Sequence, residues 1–427
     1  MAKKQIFERV EYLLIFFVLI YFYCSGLESA IFHPDESQWI GTSAVFEAYF
    51  SGDFSSPLWN ESYWTITQPP LPRYMIGLGR LMGGLGVAEL NSPWIYHDNE
   101  QTNIAKGRLP SQRLLWWSRL PMGILAAAAI LVGFFLLKRI AGRWPGYLWI
   151  MLCLLSSYFP LMLSRAMGES SLLASIAGIM FISDRLLQVS DNQELKKPGK
   201  LYIYFLLLGI AIGLAESSKL NGLSVIAAGF ALALLIGVRM KQTRTMKILF
   251  GLIAVTILTI SSQLTFLLLN PYLWKDPLNR TITMFSNRIT EMNNQQIAFP
   301  ASRIQGFSQQ VKVVTTRIFQ TYSPIHFDGV LWINIIFFLV GLACVLVTAV
   351  KYLKHQHSNS ASAALLLVGM AASLPSLFTP LDWDRYYLLP VYFSTLAAAV
   401  GIWWLGLWVY RRFRKGANDQ QVGTLAN

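Results

Sequence analysis

Two adjacent acids, Asp35 and Glu36, stand in the stretch AIFHPDESQWIG, directly after about twenty mostly apolar residues, enough to reach across lipid. A carboxylate that stays ionised and can reach a hydroxyl serves as a general base. At the edge of a membrane it can meet a lipid-borne substrate on one side and an aqueous acceptor on the other. The same pair can also simply end a helix and be solvated, and the dipeptide alone does not decide. Further ionisable residues recur where other apolar runs end. LSRAMGESSLL carries Arg165 and Glu169. An Arg grips a phosphate through two parallel N–H bonds, yet an ion pair closing a helical hairpin explains this stretch better when it is taken alone. GLAESSKLNGLSV places Glu216 and Lys219 at another run end. Ionisable groups so close to lipid usually line a cavity, and a Lys is a point charge suited to phosphate. Snorkelling to the interface accounts for it almost as well. NPYLWKDPLNRTITMF carries Lys275 and Arg280, and LDWDRYYLLP carries Arg385 before two tyrosines. Both read as phosphate contacts or as an aromatic interface belt with ordinary charges. His33, Asp35, Glu36 and His97 could ligate a divalent ion, although an interfacial His is the plainer reading of His33.

The elements that must position these residues are apolar helices. The chain has 427 residues, 54% hydrophobic and 13% charged, where a soluble domain carries about 25% charged residues. Ten apolar segments are expected to span: 12–29, 114–137, 146–163, 170–188, 201–216, 221–238, 246–269, 330–350, 362–379 and 386–409. The fold class is therefore all-α and polytopic. The first run lacks a small-residue cleavage site, which predicts a retained helix. Cys24, Cys153 and Cys344 lie in apolar runs without metal or disulfide spacing.

The net charge of +13 raises the question of a nucleic-acid partner. With the N-terminus in the cytoplasm, the short connections on that side hold 20 Lys and Arg against 6 acids, and the other side holds 15 against 16. This is the positive-inside pattern, so topology accounts for the charge and no nucleic-acid site is needed. Both termini are then expected in the cytoplasm. The two long loops, 31–113 and 270–328, fall outside, on the periplasmic face of an inner (plasma) membrane. Residues 1–410 read as one membrane domain and 411–427 as a cytoplasmic tail. No Gly-rich phosphate loop appears, and no paired, Gly/Pro-broken spans mark a transporter.

Within the first loop, DESQWIGTSAVFEAYF predicts an interfacial helix with Trp39, Phe46, Tyr49 and Phe50 on one apolar face. TQPPLPRYMIGLGRLMGG, residues 67–84, predicts a second short helix that starts after its prolines. Residues 85–110 are weakly patterned and are expected to be mobile. The tripeptides Asn60-Glu61-Ser62 and Asn279-Arg280-Thr281 match a glycosylation sequon but are short enough to occur by chance. Taken together, the acids and bases at the outer helix ends can converge on one cavity at the membrane surface.

The order of these motifs resembles the GT-C superfamily of membrane glycosyltransferases, closest to the protein O-mannosyltransferases and the aminoarabinose transferases that modify lipid A. Asp35-Glu36 match the acidic pair of the family's first outer loop. QPPLPRYMIGLG is similar to its HPPLGK-like segment, with Gln68 for the His and Pro72-Arg73 for Gly-Lys. SRAMGES resembles its SR…D segment, with Glu169 for the Asp. SSKLNGL and DRYYLLP resemble later segments. The resemblance covers roughly 12–400. It implies a polyprenyl- or dolichyl-phosphate sugar as donor and an acceptor hydroxyl that attacks with inversion. By the resemblance, Asp35 is the catalytic carboxylate and Glu36 positions the loop or the donor. Arg165, Lys219 and Arg385, with Lys275, contact the lipid phosphate, and Glu169 is a second acid in the site. The expected partners are this donor, membrane lipids, and a protein, lipid or glycan acceptor. A divalent metal is used by some relatives and not by others. Neither a soluble C-terminal domain nor a lectin insert is expected, which suggests a compact prokaryotic member. A lipid-linked sugar transporter and a non-catalytic scaffold are the competing readings. Clustering of ionisable residues at outer helix ends rather than at mid-membrane speaks against the first.

Overall fold

The computed structural model describes residues 2–59, 63–192, 198–327, 329–354 and 359–424. The Asn60–Ser62 sequon lies outside the described residues. Eight helices are long and apolar enough to cross a membrane, which makes the chain a multi-pass membrane protein. We label the main helices α1 (Ala2–Ser25), α2 (Pro34–Gly41), α3 (Leu71–Met82), α4 (Gln112–Ala141), α5 (Arg143–Leu155), α6 (Glu169–Asn192), α7 (Gly199–Ser218), α8 (Ile226–Arg239), α9 (Arg244–Leu269), α10 (Pro277–Ala298), α11 (Gly306–Thr316), α12 (Leu331–Leu353), α13 (Ser360–Leu377) and α14 (Leu388–Thr424).

Two of the ten expected spans, 12–29 and 146–163, are not among these eight. In α1 the polar residues Glu8, Arg9 and Glu11 occupy the early turns, so its apolar stretch is short. The third span is broken: α5 stops at Leu155, Ser156 turns extended (φ −69°, ψ 132°), and a short helix resumes over Tyr158–Leu163. Both segments still run from one end of the bundle to the other. Lys138, at the last turn of α4, donates to Glu11 Oε2 at 2.9 Å, while Arg119, in the first half of α4, donates to the Leu27 carbonyl at 2.6 Å. Arg143 lies 3.6 Å from Glu11, and Ala166 N lies 2.8 Å from Glu36. These contacts put Glu11, Lys138 and Arg143 at one end of the bundle and Leu27, Arg119 and Ala166 towards the other.

Small residues set the helix crossings, as they must where lipid gives no hydrophobic drive between helices. A Cβ on Gly341 of α12 would collide with the Ala397 carbonyl of α14, and one on Gly401 would collide with the Phe337 carbonyl. Gly209 and Gly213 of α7 meet Ser261 and Ser262 of α9 in the same way. The apolar stretches of α9 and α12 are only 28% and 22% buried, against 61% for α4. The first two therefore form the lipid-facing rim, and α4 lies at the centre.

The loops are more structured than their sequence suggested. The expected single interfacial helix of the first loop is two short ones, α2 and Val45–Phe50, separated around Thr42–Ala44, and Asp35 through Ile40 are buried rather than laid on a surface. Helix α3 begins after Pro69-Pro70, with Pro72 in its first turn, as expected. Residues 85–110 are held rather than loose. Asn91 Nδ2 donates to Ser37 O at 3.0 Å, Gln38 Nε2 to Trp94 O at 3.1 Å, and Asn103 exchanges two 3.0 Å bonds with Ile95. These bonds pair buried amides with backbone, a signal that no hydrophobic periodicity carries. The second long loop contains α10 and α11. Asp276 caps α10 through Asn279 N at 3.3 Å and binds the Asn279 amide at 2.8 Å.

Candidate active site

At the end of the bundle where the two long loops meet, a cavity of about 1200 Å³ is lined by His33, Asp35, Glu169, Lys219, Arg288 and Arg385 together with many aromatic rings. It draws on eight separate pieces of chain, so no local stretch of sequence contains it.

Asp35 sits in the first turn of α2. His33 caps this helix: its Nδ1 accepts from Asp35 N at 3.1 Å, and its own N–H donates to Glu36 Oε2 at 3.0 Å. A side-chain cap of this kind fixes the direction in which the helix starts, and hence where Asp35 points. The Asp35 carboxylate forms an ion pair with Arg385 and accepts a hydrogen bond from the Tyr96 hydroxyl. Arg385 lies over the Trp383 ring at 4.8 Å. Burial and the nearby Arg165 and Arg385 push His33 down to about 4, so its imidazole is neutral and free to cap near neutral pH.

Glu36 points away from the cavity and is fully buried. Both its oxygens accept from Arg119 at 2.7 Å, and Oε1 also accepts from Ala166 N at 2.8 Å. Arg119 in turn donates to the carbonyls of Leu27 and Ala30 at 2.6 and 3.0 Å. This one pair therefore joins the end of α1, α2, α4 and the segment before α6. A fully buried, bidentate and completely hydrogen-bonded pair is costly to break from one side.

Glu169 opens α6 and is 2% exposed. Lys219 donates to its Oε1 at 2.5 Å, while its Oε2 has no hydrogen-bond partner. Arg165 is buried 3.7 Å from Asp384, with its Nε unpartnered, and does not itself line the cavity. Asp382 receives Arg317 at 2.7 and 2.9 Å and the Tyr387 hydroxyl at 3.0 Å. The segment Asp382–Arg385 is thus pinned at three of its four residues by α6's leading loop, by Arg317 and by Asp35. Arg317 begins a π-helical turn, a feature frequent at functional sites.

The structure brings Asp35, Glu169, Lys219 and Arg385 to the cavity wall and places Arg165 directly behind it. Lys275 is exposed on the turn Pro271–Lys275 and lies outside the lining. Arg280 donates to Tyr272 O at 2.6 Å and stacks on that ring. Glu216 is buried between α7 and α9, bonded to Gln263 at 3.2 Å, and does not line the cavity either. Arg73 is buried and stacks on Trp39 at 4.7 Å. Its hydrogen bonds go to Thr42 Oγ1, Gln68 O and Trp64 O, and burial pulls it down to about 9. Sequence reasoning missed Arg119, Tyr96, Arg288 and Arg317. Only Arg119 had a visible signal, a charge inside the apolar run WWSRLPMG of a spanning helix.

Among the described residues no three His, Cys, Asp or Glu side chains converge as a metal site. The oxygens of Asp35 and Glu36 are engaged by Arg385, Tyr96 and Arg119, and His33 Nδ1 is occupied by its helix cap. This donor set does not fit a divalent ion.

The helical bundle has the fold of a solved polytopic membrane protein, ArnT. ArnT from Cupriavidus metallidurans is similar in structure at 13% identity, with a TM-score of 0.51 over 91% of this chain and 58% of that one. The Archaeoglobus fulgidus oligosaccharyltransferase is similar at 13% identity and TM-score 0.48, over 96% of this chain and 52% of that one. The Pmt1-Pmt2 protein O-mannosyltransferase complex of S. cerevisiae is similar at 15% identity and TM-score 0.42, over 61% and 33%. The chain thus spans between a third and three fifths of the length of these proteins. No family profile matches the sequence, and no curated protein matches it.

Proposed function

We propose that the chain is an inverting glycosyltransferase that moves a sugar from a polyprenyl-phosphate donor to an acceptor hydroxyl, with O-mannosyltransferase-like transfer to protein as the finer reading. One observation carries it: a carboxylate, Asp35, faces a large cavity at the end of a membrane bundle while fixed to the cation Arg385. ArnT, of like fold, has been solved with undecaprenyl phosphate bound, which supports a donor of this kind.

In this reading Asp35 takes the proton of the acceptor hydroxyl. The hydroxyl oxygen attacks the anomeric carbon from the face opposite the phosphate. The bond from that carbon to the phosphate oxygen breaks, and the lipid phosphate leaves with the electron pair. Arg385 and Lys219 would stabilise the charge that develops there; fixed cations aimed at a leaving group act mainly in the transition state. The phosphate also competes with Asp35 for Arg385, so donor binding releases the carboxylate to act as base. Glu169, with Oε2 unpartnered, would receive a sugar hydroxyl. Glu36 and Arg165 position the loop and the Asp384–Arg385 turn. The positive-inside pattern supports a site on the outer face of the plasma membrane.

Transfer from radiolabelled polyprenyl-phosphate sugars, mannose first, to a periplasmic and membrane extract in proteoliposomes tests the reading. Label in protein supports O-glycosylation. Label in lipid or glycan keeps the chemistry and moves the acceptor to the aminoarabinose-transferase type. No label from any donor overturns the enzyme in favour of a transporter.

A further inference from the structure

Five carboxylates line the cavity: Asp35, Glu169, Glu291, Asp382 and Asp384. Four of them have a cation within ion-pair distance, namely Arg385, Lys219, Arg317 and Arg165. An anion arriving at any of those cations has to displace a carboxylate. Arg288 also lines the cavity, and among the described residues no carboxylate oxygen lies within 4.0 Å of it. Its Nη2 donates to the neutral Tyr386 hydroxyl at 3.3 Å. The Arg385 guanidinium sits 5.7 Å from the centroid of that same tyrosine ring. Tyr386 therefore stands between Arg288 and the cation that holds Asp35.

The helix carrying Arg288 suits an amphiphilic ligand. Arg288, Glu291, Met292 and Gln295 of α10 face the cavity at helical spacing. A separate arc of the same helix exposes Leu278, Ile282 and Ile289. One element thus offers a polar wall to a head group and an exposed apolar flank to a lipid tail.

We propose that Arg288 is the binding residue that first takes the phosphate of the lipid-linked donor, ahead of the four cations already paired with carboxylates. Identifying the ligand as a polyprenyl phosphate rests on the function proposed above; the unpaired cation on the cavity wall does not. An Arg at this point gains a charge-assisted bond to phosphate without giving up an ion pair. Delivery then runs along Tyr386 to Arg385, and Asp35 is freed.

Binding of undecaprenyl phosphate to the purified full chain in detergent tests this, with undecaprenol and inorganic phosphate as separate probes. Arg288→Ala should weaken undecaprenyl phosphate by about tenfold or more, the scale of one lost charge-assisted contact, with an unchanged melting temperature. Arg288→Lys, which keeps the charge, should recover most of the affinity. Undecaprenol binding should not respond to either change. Competition by inorganic phosphate that disappears in Arg288→Ala would show that the head group alone is read. Arg288→Ala binding undecaprenyl phosphate as tightly as wild type overturns the proposal, and so does a wild type that binds neither phosphate. Arg288-dependent binding without any sugar transfer would leave this site standing and defeat the glycosyltransferase reading instead.

Discussion

The two ends of the helical bundle use charge in opposite ways. At the end away from the cavity, ion pairs tie helices together. Glu11 gathers Lys138, Arg143 and Tyr147, Asp184 gathers Arg139, Ser360 and Gln188, and Tyr352 bridges Asp191 and Arg239. At the cavity end the pairs are distributed around an open volume, and Glu169 Oε2, Gln68 Oε1 and Gln295 Oε1 on its wall and Arg165 Nε behind it have no hydrogen-bond partner. Paired charges packed between helices, with no open volume beside them, make a lock. Paired charges with an unsatisfied oxygen beside a cavity make a site, because only a ligand completes them. The Glu36–Arg119 pair shows that the same chemistry can serve structure even one residue away from Asp35.

Breaking the lock nearest the site should have the largest effect. Arg119→Met leaves Glu36 buried and unpaired, which costs about 3–5 kcal/mol; the melting temperature and activity should fall together. Adding Glu36→Gln to that variant should restore much of the stability, since removing both charges of a buried pair is often close to neutral. Thermal unfolding in detergent reads both, and a double variant no better than the single one would show that the pair does more than hold the fold.

The opposite end gives the contrasting case. Arg139→Met leaves Asp184 with Ser360 and Gln188 still bonded to it, at 2.6 and 2.8 Å. A loss of about 1–3 kcal/mol is expected, with turnover per folded molecule unchanged. A fall in turnover with the fold intact would mean that the two ends are coupled.

The smallest effect is a pH dependence set by His33. Its value in the fold is lowered from 6.5 to about 4, so the unfolded chain binds the proton first. The contribution is full above 6.5 and is lost as the pH falls from 6.5 to about 4, where Nδ1 becomes protonated and can no longer accept from Asp35 N. The unfolded chain holds up to one more proton than the fold over that window, so the slope is at most about 1.4 kcal/mol per pH unit. His33→Asn keeps a cap without titrating, and its stability curve should be flatter over that window. An unchanged slope would assign the titration to another group.

Much of this was legible in the sequence because membrane helices announce themselves. Apolar runs gave the multi-pass helical bundle, and the acids and bases at run ends include four residues of the cavity wall, Asp35, Glu169, Lys219 and Arg385. What was illegible depended on partners far apart in the chain. Glu36 and Asp35 are neighbours, yet one turns to Arg119 and the other to Arg385, which only the packing of α2 decides. Arg288 lies in a polar loop helix whose pattern carries no membrane signal. The order in 85–110 comes from Asn91 and Asn103 bonding to backbone, which hydropathy does not see. The third span breaks at Ser156, within the largely apolar run CLLSSYFPLML.

The central claim is that Asp35 does the chemistry while Glu36 holds the scaffold. The direct test is sugar transfer in proteoliposomes by wild type and Asp35→Asn, with the melting temperature of each measured alongside. The account predicts a loss of about 10²–10⁴-fold in turnover, the usual contribution of a positioned base, in a variant that stays folded and still binds undecaprenyl phosphate. Turnover retained in folded Asp35→Asn would contradict it, and the cavity's chemistry would then have to lie with Glu169.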